Sequence, residues 1–205
     1  MKVAVMQPYF YPYMNYFRLI AAVDVFVLFD CVQFPRRGRV HRAPLESGGW
    51  LTLPLAKQSR DVLICDVELS ESRDALWAAR LAKVPQVALT GPLPQMLSPW
   101  LEARLRDACD QLKIKTPFIR SSSLGLPDDL RGKDRVMAAA KAVGGDHYCN
   151  LPGGRDLYGV DEFAAAGLGL RFLPDYPGPY FHMLEALAKE PIEALIADLK
   201  QGTRP

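Results

Sequence analysis

The sequence has no apolar run approaching the ~18 residues a membrane helix needs, so no span is expected. It has little charge imbalance: 25 Lys and Arg against 23 Asp and Glu leave a formal net charge of +2. That excludes a general pull toward nucleic acid or a membrane surface. Histidine is scarce, with 3 residues, and the 4 cysteines (Cys31, Cys65, Cys109, Cys149) are scattered without CxxC or metal-like spacing. No metal centre and no cofactor are expected, and the thiols read as reduced, in a cytoplasmic protein. The first residues lack a basic segment ahead of an apolar stretch and a cleavage site, so no signal peptide is expected. Internal repeats and low-complexity tracts are absent as well.

What is present is an ordinary globular balance, 49% hydrophobic and 23% charged over 205 residues. That length supports one full-sized core, and one domain over residues 1–205 is the default.

The informative stretch runs from Lys2 to Pro44. Val3 to Met6 is a short apolar run that reads as a buried strand. It enters QPYFYPY, where Pro8 and Pro12 forbid regular continuation. A helix from about Met14 to Val23 follows, then a strand over Val25 to Phe29 that ends on Asp30. Strand, aromatic turn, helix and strand make the opening βαβ unit of an α/β fold, and ligands of such sheets bind outside the carboxyl ends of the strands. Gln7 and Asp30 would meet at that edge. PRRGRVHR follows directly, with five cations if His41 is charged.

Downstream, GGWLTLPLA reads as a hairpin continuation and DVLICDVEL as another strand. Ser70 is a plausible cap for a helix over ESRDALWAARLAKV, with Leu76, Arg80, Lys83 and Val84 near one side. A short extended piece is expected at Val87 to Leu89, and Ser98 with Pro99 opens a helix apolar at Leu101, Leu105, Ala108 and Leu112. IKTPFIRSSS is a buried strand ending in hydroxyls, KDRVMAAAKAVGG a helix stopped by Gly144 and Gly145. DHYCNLPGGRDLY is a strand and glycine turn, VDEFAAAG a short helix and LGLRFLPDY a last strand. The tail helix is interrupted at Pro191. The alternation predicts an α/β, Rossmann-like domain with a mainly parallel sheet, an inserted antiparallel hairpin and a helix-rich second half.

Several residues are candidates for chemistry. Gln7, Tyr9, Tyr13 and Tyr16 can line a pocket at the strand edge, where phenolic hydroxyls suit a sugar or nucleotide; packing in the core is the competing reading for each aromatic. Asp30, Gln33 and His41 form the expected catalytic constellation: a carboxylate orients an imidazole that takes a proton, and an amide steadies an oxyanion. Cys31 is a possible nucleophile with His41. Neighbours on a strand face opposite sides, however, so Asp30 and Cys31 are expected in different places. Ser121 and Ser122 end a strand, and Asp134 and Arg135 open a helix whose N-terminus suits an anion. The basic run lacks interleaved aromatics, so a nucleic-acid groove is a poor fit.

The pattern MQPYF-x-PY-x-x-YF-x-LI, then D-x-VQF and RRG-x-x-HR, resembles the WbqC-like family of bacterial proteins. The likeness continues in SSSL, in GKDRV and in HYCNLPGGRDLY. It implies a role in gene clusters for O-antigen, other polysaccharides or secondary metabolites. The match singles out Arg37, His41 and Arg42, which would grip phosphate or carboxylate, together with Ser121, Ser122, Asp134, Arg135 and Tyr158. The match weakens at FHMLEAL, where His182 and Glu185 replace a serine-and-aspartate motif. There is also a likeness to nucleotidylyltransferases, whose H-x-G-H stands where this chain has Tyr13-Met14-Asn15-Tyr16; without the histidines, adenylyl transfer by that route is not expected.

Together these readings point to acyl or aminoacyl transfer to an amine, such as an amino group on a nucleotide sugar, with an acyl or peptidyl carrier protein as a possible donor partner. The rival is a non-catalytic nucleotide or nucleotide-sugar binder.

Overall fold

A computed structural model describes residues 1–87, 89 and 91–201. The apolar runs seen in the sequence become β1 (Lys2–Met6), β2 (Val25–Leu28), β5 (Phe118–Arg120), β6 (His147–Asn150) and β7 (Gly169–Phe172). They form one sheet in the order β5-β2-β1-β6-β7, with every pairing parallel. Two further strands, β3 (Arg42–Pro44) and β4 (Trp50–Thr52), pair antiparallel in a separate hairpin. Gly48 and Gly49 turn that hairpin at φ of +88° and +79°, values that suit glycine.

Alternation along β1 shows why the sheet is covered on both sides. Val3 and Val5 pack on one face with Val136 and Ala139 of α4 (Gly132–Ala142) and Phe163 of α5 (Val160–Ala165). Ala4 packs on the other face with α1 (Met14–Ala21), α3 (Leu97–Gln111), α6 (Met183–Lys189) and α7 (Ile192–Lys200). Successive Cβ atoms on a strand point to opposite faces, so both faces of a central strand must be apolar. The architecture is therefore α/β, three-layered, with most of the helices in the second half.

Between β2 and β5 the chain builds a satellite core of its own. Phe34, Val40, Leu51, Leu53, Ile64, Val67, Trp77 and Leu101 pack there, with Phe10 reaching in from the aromatic turn. Two local readings are corrected here. DVLICDVEL is not a strand: it holds a single 3-10 turn (Ile64–Asp66) and isolated bridges from Leu63, Glu68 and Leu69, because its apolar residues point into the satellite core without a continuous partner edge. The helix after Ser70, α2 (Arg73–Leu81), buries Trp77 and leaves Leu76 exposed, since the large indole fills the satellite core. The extended piece expected at Val87 to Leu89 includes Ala88, which lies outside the described residues.

The strand order decides where a site can form. The chain runs from β1 outward to β2 and β5, then crosses back to add β6 and β7 on the other side. The switch point thus falls between β1 and β6, and crevices open outside the carboxyl ends of the strands.

Candidate functional site

Asp30 follows β2 and is fully buried. Its carboxylate has four donors within reach: Ser122 N at 2.9 Å and Ser121 Oγ at 3.1 Å from Oδ1, Ser98 Oγ at 2.8 Å and Ser122 Oγ at 3.0 Å from Oδ2. A buried carboxylate is tolerable only with such a set of donors. The serines come from the end of β5 and the first turn of α3, so one carboxylate ties three elements together.

Ser121 connects this knot to Cys31. Its oxygen accepts from the amides of Asp30 (3.0 Å) and Cys31 (3.2 Å), which occupies both lone pairs. Its single proton is therefore donated outward, to Asp30 Oδ1 or to the Cys31 sulfur 3.0 Å away. Asp30 already has three other donors; the sulfur has one, Arg135 Nε at 3.1 Å. The expected separation of Asp30 and Cys31 is corrected: β2 ends at Leu28, so strand alternation no longer governs them, and both reach Ser121.

Cys31 and Arg135 share a cleft of ≈ 580 Å³ whose walls also carry Gln33, Asp61, Asp128 and Arg131. Arg135 is held by the carbonyls of Pro127 (2.9 Å) and Leu130 (3.3 Å) through Nη1, and its Nη2 has no partner among the described residues. Gly132, the first residue of α4, also lines the cleft, and no side chain caps this helix start. Its free amides and partial positive charge add to the arginines. Gln33 spends its amide hydrogens on Arg60 O (3.0 Å) and Asp61 Oδ1 (3.5 Å), leaving no donor for an oxyanion.

The structure does not bring His41 to Asp30. His41 is buried against the edge of Phe34, ring centroids 5.1 Å apart, beneath the β3–β4 hairpin, and its Nδ1 has no partner. Burial, then the nearby charges of Arg42 and Arg80, lower its pKa from 6.5 to about 4. The imidazole is neutral at pH 7 but is not on the cleft.

The other sequence candidates divide. Ser121 and Ser122 bond Asp30, and Arg135 lines the cleft. Arg42 turns inward: it lies 4.3 Å over the Trp50 ring, with Nε on Gly38 O at 3.2 Å and Nη2 on Arg37 O. Arg37 itself is exposed, and so is Asp134 in the first turn of α4. Tyr16 is fully buried, its hydroxyl on Gln7 O at 2.7 Å, so it holds the strand edge and does not line a pocket. Tyr9 packs tilted against Tyr16, ring centroids 5.4 Å apart. Tyr158 packs edge-on against the stacked pair Tyr148 (5.6 Å) and Phe163 (5.5 Å), supporting the turn after β6. In that turn, Asn150 Nδ2 would stand 2.5 Å from a Cβ on Gly154, so only glycine fits. Tyr13 faces a second, smaller pocket near the switch point.

Sequence reasoning missed Ser98 as a partner of Asp30, and missed Asp61, Asp128 and Arg131. Ser98 resembles an ordinary helix-start serine, and the others lie in polar loops without periodicity. Glu185 is also more than a departure from a motif: it is buried and accepts Glu46 N at 2.6 Å and Gln86 Nε2 at 2.9 Å, joining α6 to the hairpin.

The WbqC-like protein family pattern matches residues 7–91 and 93–185, which spans the aromatic turn, the cleft and the glycine turn. The chain belongs to the WbqC-like family. It is 26% identical over 192 residues to "Uncharacterized protein Rv1507c" of Mycobacterium tuberculosis, covering 83% of this chain and 80% of that protein. No solved structure matches the WbqC-like chain significantly. Among its described residues no helix is long and apolar enough to cross a membrane, and no group of three or more His, Cys, Asp and Glu could hold a metal ion.

Proposed function

We propose that this WbqC-like protein forms amides, passing an acyl or aminoacyl group through a thioester on Cys31 to an amine such as that of an amino-sugar nucleotide. The setting would be polysaccharide or secondary-metabolite biosynthesis. One observation carries the reading: a cysteine sulfur in the wall of a cleft of ≈ 580 Å³, with Arg135 Nε at 3.1 Å and Ser121 Oγ at 3.0 Å from it. These contacts orient the sulfur toward a bound acyl group, the geometry that nucleophilic catalysis needs.

In the first step the Cys31 sulfur attacks the acyl carbon of the donor. The C–S bond forms, and the donor's thiol, the pantetheine arm of a carrier protein, leaves with its electron pair. Negative charge developing on the carbonyl oxygen faces Arg135 Nη2 and the free amides of α4. The amine then attacks the thioester carbon, the C–N bond forms, and the C–S electron pair returns to Cys31. The amine's surplus proton passes to Asp61 or Asp128. Asp30 is a positioning residue: it fixes Ser121, which fixes Cys31. Gln33 shapes the wall beside the sulfur, and Arg131 with the exposed Arg37 supplies charge for a phosphate. His41 takes no part in the step.

A second reading, a non-catalytic binder of nucleotides or nucleotide sugars, is favoured by the switch point between β1 and β6, a common place for nucleotides in open parallel sheets. Incubation with an acyl-pantetheine thioester and a nucleotide-linked amino sugar, read by mass spectrometry, separates the two. The transferase yields the amide, and Cys31→Ser loses about 100-fold or more in rate at unchanged affinity for the sugar nucleotide. No product from the wild type leaves the binder standing, and full activity in Cys31→Ser removes the thioester route.

A further inference from the structure

Away from the cysteine cleft, a pocket of ≈ 210 Å³ opens at the carboxyl end of β6, lined by Tyr13, Asn15, Gly153, Asp175, Tyr176 and Phe181. Its position is the topological switch point: Tyr13 and Asn15 come from the start of α1, Gly153 from the turn after β6 and Asp175 from the loop after β7. The volume is below the ≈ 300 Å³ at which drug-sized pockets begin, so it suits one ring and not a whole nucleotide.

The walls are prepared for a flat ring. Phe181 keeps half its surface in solvent, an unusual exposure for a phenylalanine, and stands at the rim edge-on to Tyr176, centroids 5.8 Å apart. Tyr176 is fixed, with its hydroxyl on Asp198 Oδ2 at 2.7 Å and its ring 5.3 Å from the Arg18 guanidinium carbon. Asn15, only 6% exposed, gives Oδ1 to Arg18 Nη1 at 3.0 Å. Arg18 is itself buried and donates Nη2 to Gln201 O at 2.7 Å, so it cannot accept, and the amide of Asn15 is locked with Nδ2 as the free end. That NH2 group has no partner among the described residues, and Asn15 is one of the residues lining the pocket. Asp175, also in the lining, is open apart from a 3.6 Å pair with Arg155.

We infer that this pocket takes the nucleobase of the nucleotide-sugar substrate, a subsite that rests on the proposed use of such a substrate. The ring stacks among Tyr13, Tyr176 and Phe181, a ring carbonyl or ring nitrogen accepts from Asn15 Nδ2, and an N–H of the base donates to Asp175. A phosphate would not need three rings and would be repelled by the carboxylate. The nucleobase end is thereby held on the switch-point side of the sheet edge, and the sugar end is left to extend along that edge.

Three substitutions test the site without breaking the fold. Asn15→Asp keeps an oxygen for Arg18 and replaces the donor by an acceptor. Gly153→Leu fills the pocket, since a Cβ there meets no atom within 4 Å. Phe181→Ala removes a side chain already exposed. Binding of uridine, cytidine, adenosine and guanosine, and of inorganic phosphate as control, is measured by ligand-observed NMR and calorimetry, with thermal melting to verify folding. At least one nucleoside binds the wild type and Cys31→Ser equally, and Asn15→Asp and Gly153→Leu weaken it tenfold or more. Phe181→Ala weakens it severalfold, consistent with a lost stacking surface. Nucleoside affinity unchanged in both pocket variants overturns the subsite, as does binding of phosphate alone. Failure of the transferase is read separately: nucleoside binding that depends on Asn15, with no amide product from the wild type, sinks the chemistry and keeps the subsite.

Discussion

Arg135 donates Nε–H to the Cys31 sulfur at 3.1 Å, joining residues 104 positions apart. The contact exists because Arg135 lies one turn into α4, whose start opens onto the end of β2, and because two carbonyls hold its Nη1 in place. It gives a buried cysteine on the cleft wall a guanidinium donor at hydrogen-bond distance.

The four thiols should therefore differ in reactivity. Burial, then Asp66 and Asp30, pushes Cys65 up to about 12, and burial, then Asp110, pushes Cys109 up to about 12. Cys149 is raised by burial as well. With iodoacetamide below one equivalent at pH 7.5, peptide mapping should find label first on Cys31, and Arg135→Ala should slow that labelling. Preferential labelling of Cys65 would show that the arginine does not activate its neighbour.

Asp30 holds the knot. Asp30→Asn loses the charge and presents an NH2 group to serine and amide donors; it should cost about 2–3 kcal/mol of stability in urea denaturation, since hydrogen bonds to a charged group contribute about 1.5–3 kcal/mol each. It should slow acyl transfer too, through Ser121 and Cys31. A variant with wild-type stability would mean the serine contacts contribute little.

His41 makes stability depend on pH. Its pKa is near 6.5 in the unfolded chain and lowered to about 4 in the fold. The unfolded state thus takes up the proton first as pH falls. The stability tied to the neutral ring is fully present above about pH 6.5 and is lost as pH falls toward 4, on the order of 1–3 kcal/mol in total. In His41→Phe this slope should flatten while acyl transfer persists. A variant that keeps the slope would place the titrating group elsewhere.

Much of the fold is legible in the sequence because buried parallel strands must be apolar on both faces. Val3 to Met6, Val25 to Leu28 and Phe118 to Arg120 announce themselves in this way. Pro191 marks the break between α6 and α7 for an equally local reason. The site is less legible. Asp30, Ser121 and Arg135 are visible as polar residues at element ends, but the three-element knot that links them depends on tertiary packing. His41 pairs with Asp30 by sequence proximity alone; the intervening loop carries it into the satellite core, where Phe34 covers it. The alternation that would separate Cys31 from Asp30 does not apply because β2 ends three residues before Cys31, at Leu28.

Glu185 offers a structural test far from the cleft. It accepts from Glu46 N and Gln86 Nε2, with Lys189 Nζ 3.6 Å away. Glu185→Ala removes the acceptor of two part-buried hydrogen bonds and should destabilise the protein by about 1–2 kcal/mol. Thermal melting would show it, and an unchanged melting temperature would mean the hairpin does not depend on α6.

The central claim is a covalent acyl group on Cys31, and intact-protein mass spectrometry tests it most directly. The protein is mixed with an acyl-N-acetylcysteamine thioester, with no amine present, and the adduct is mapped by peptide digestion. The account predicts one acyl group per chain on Cys31, released when an amino-sugar nucleotide is added and absent from Cys31→Ser. Amide formation at the wild-type rate in Cys31→Ser, with no adduct on Cys31 at any time, would contradict it.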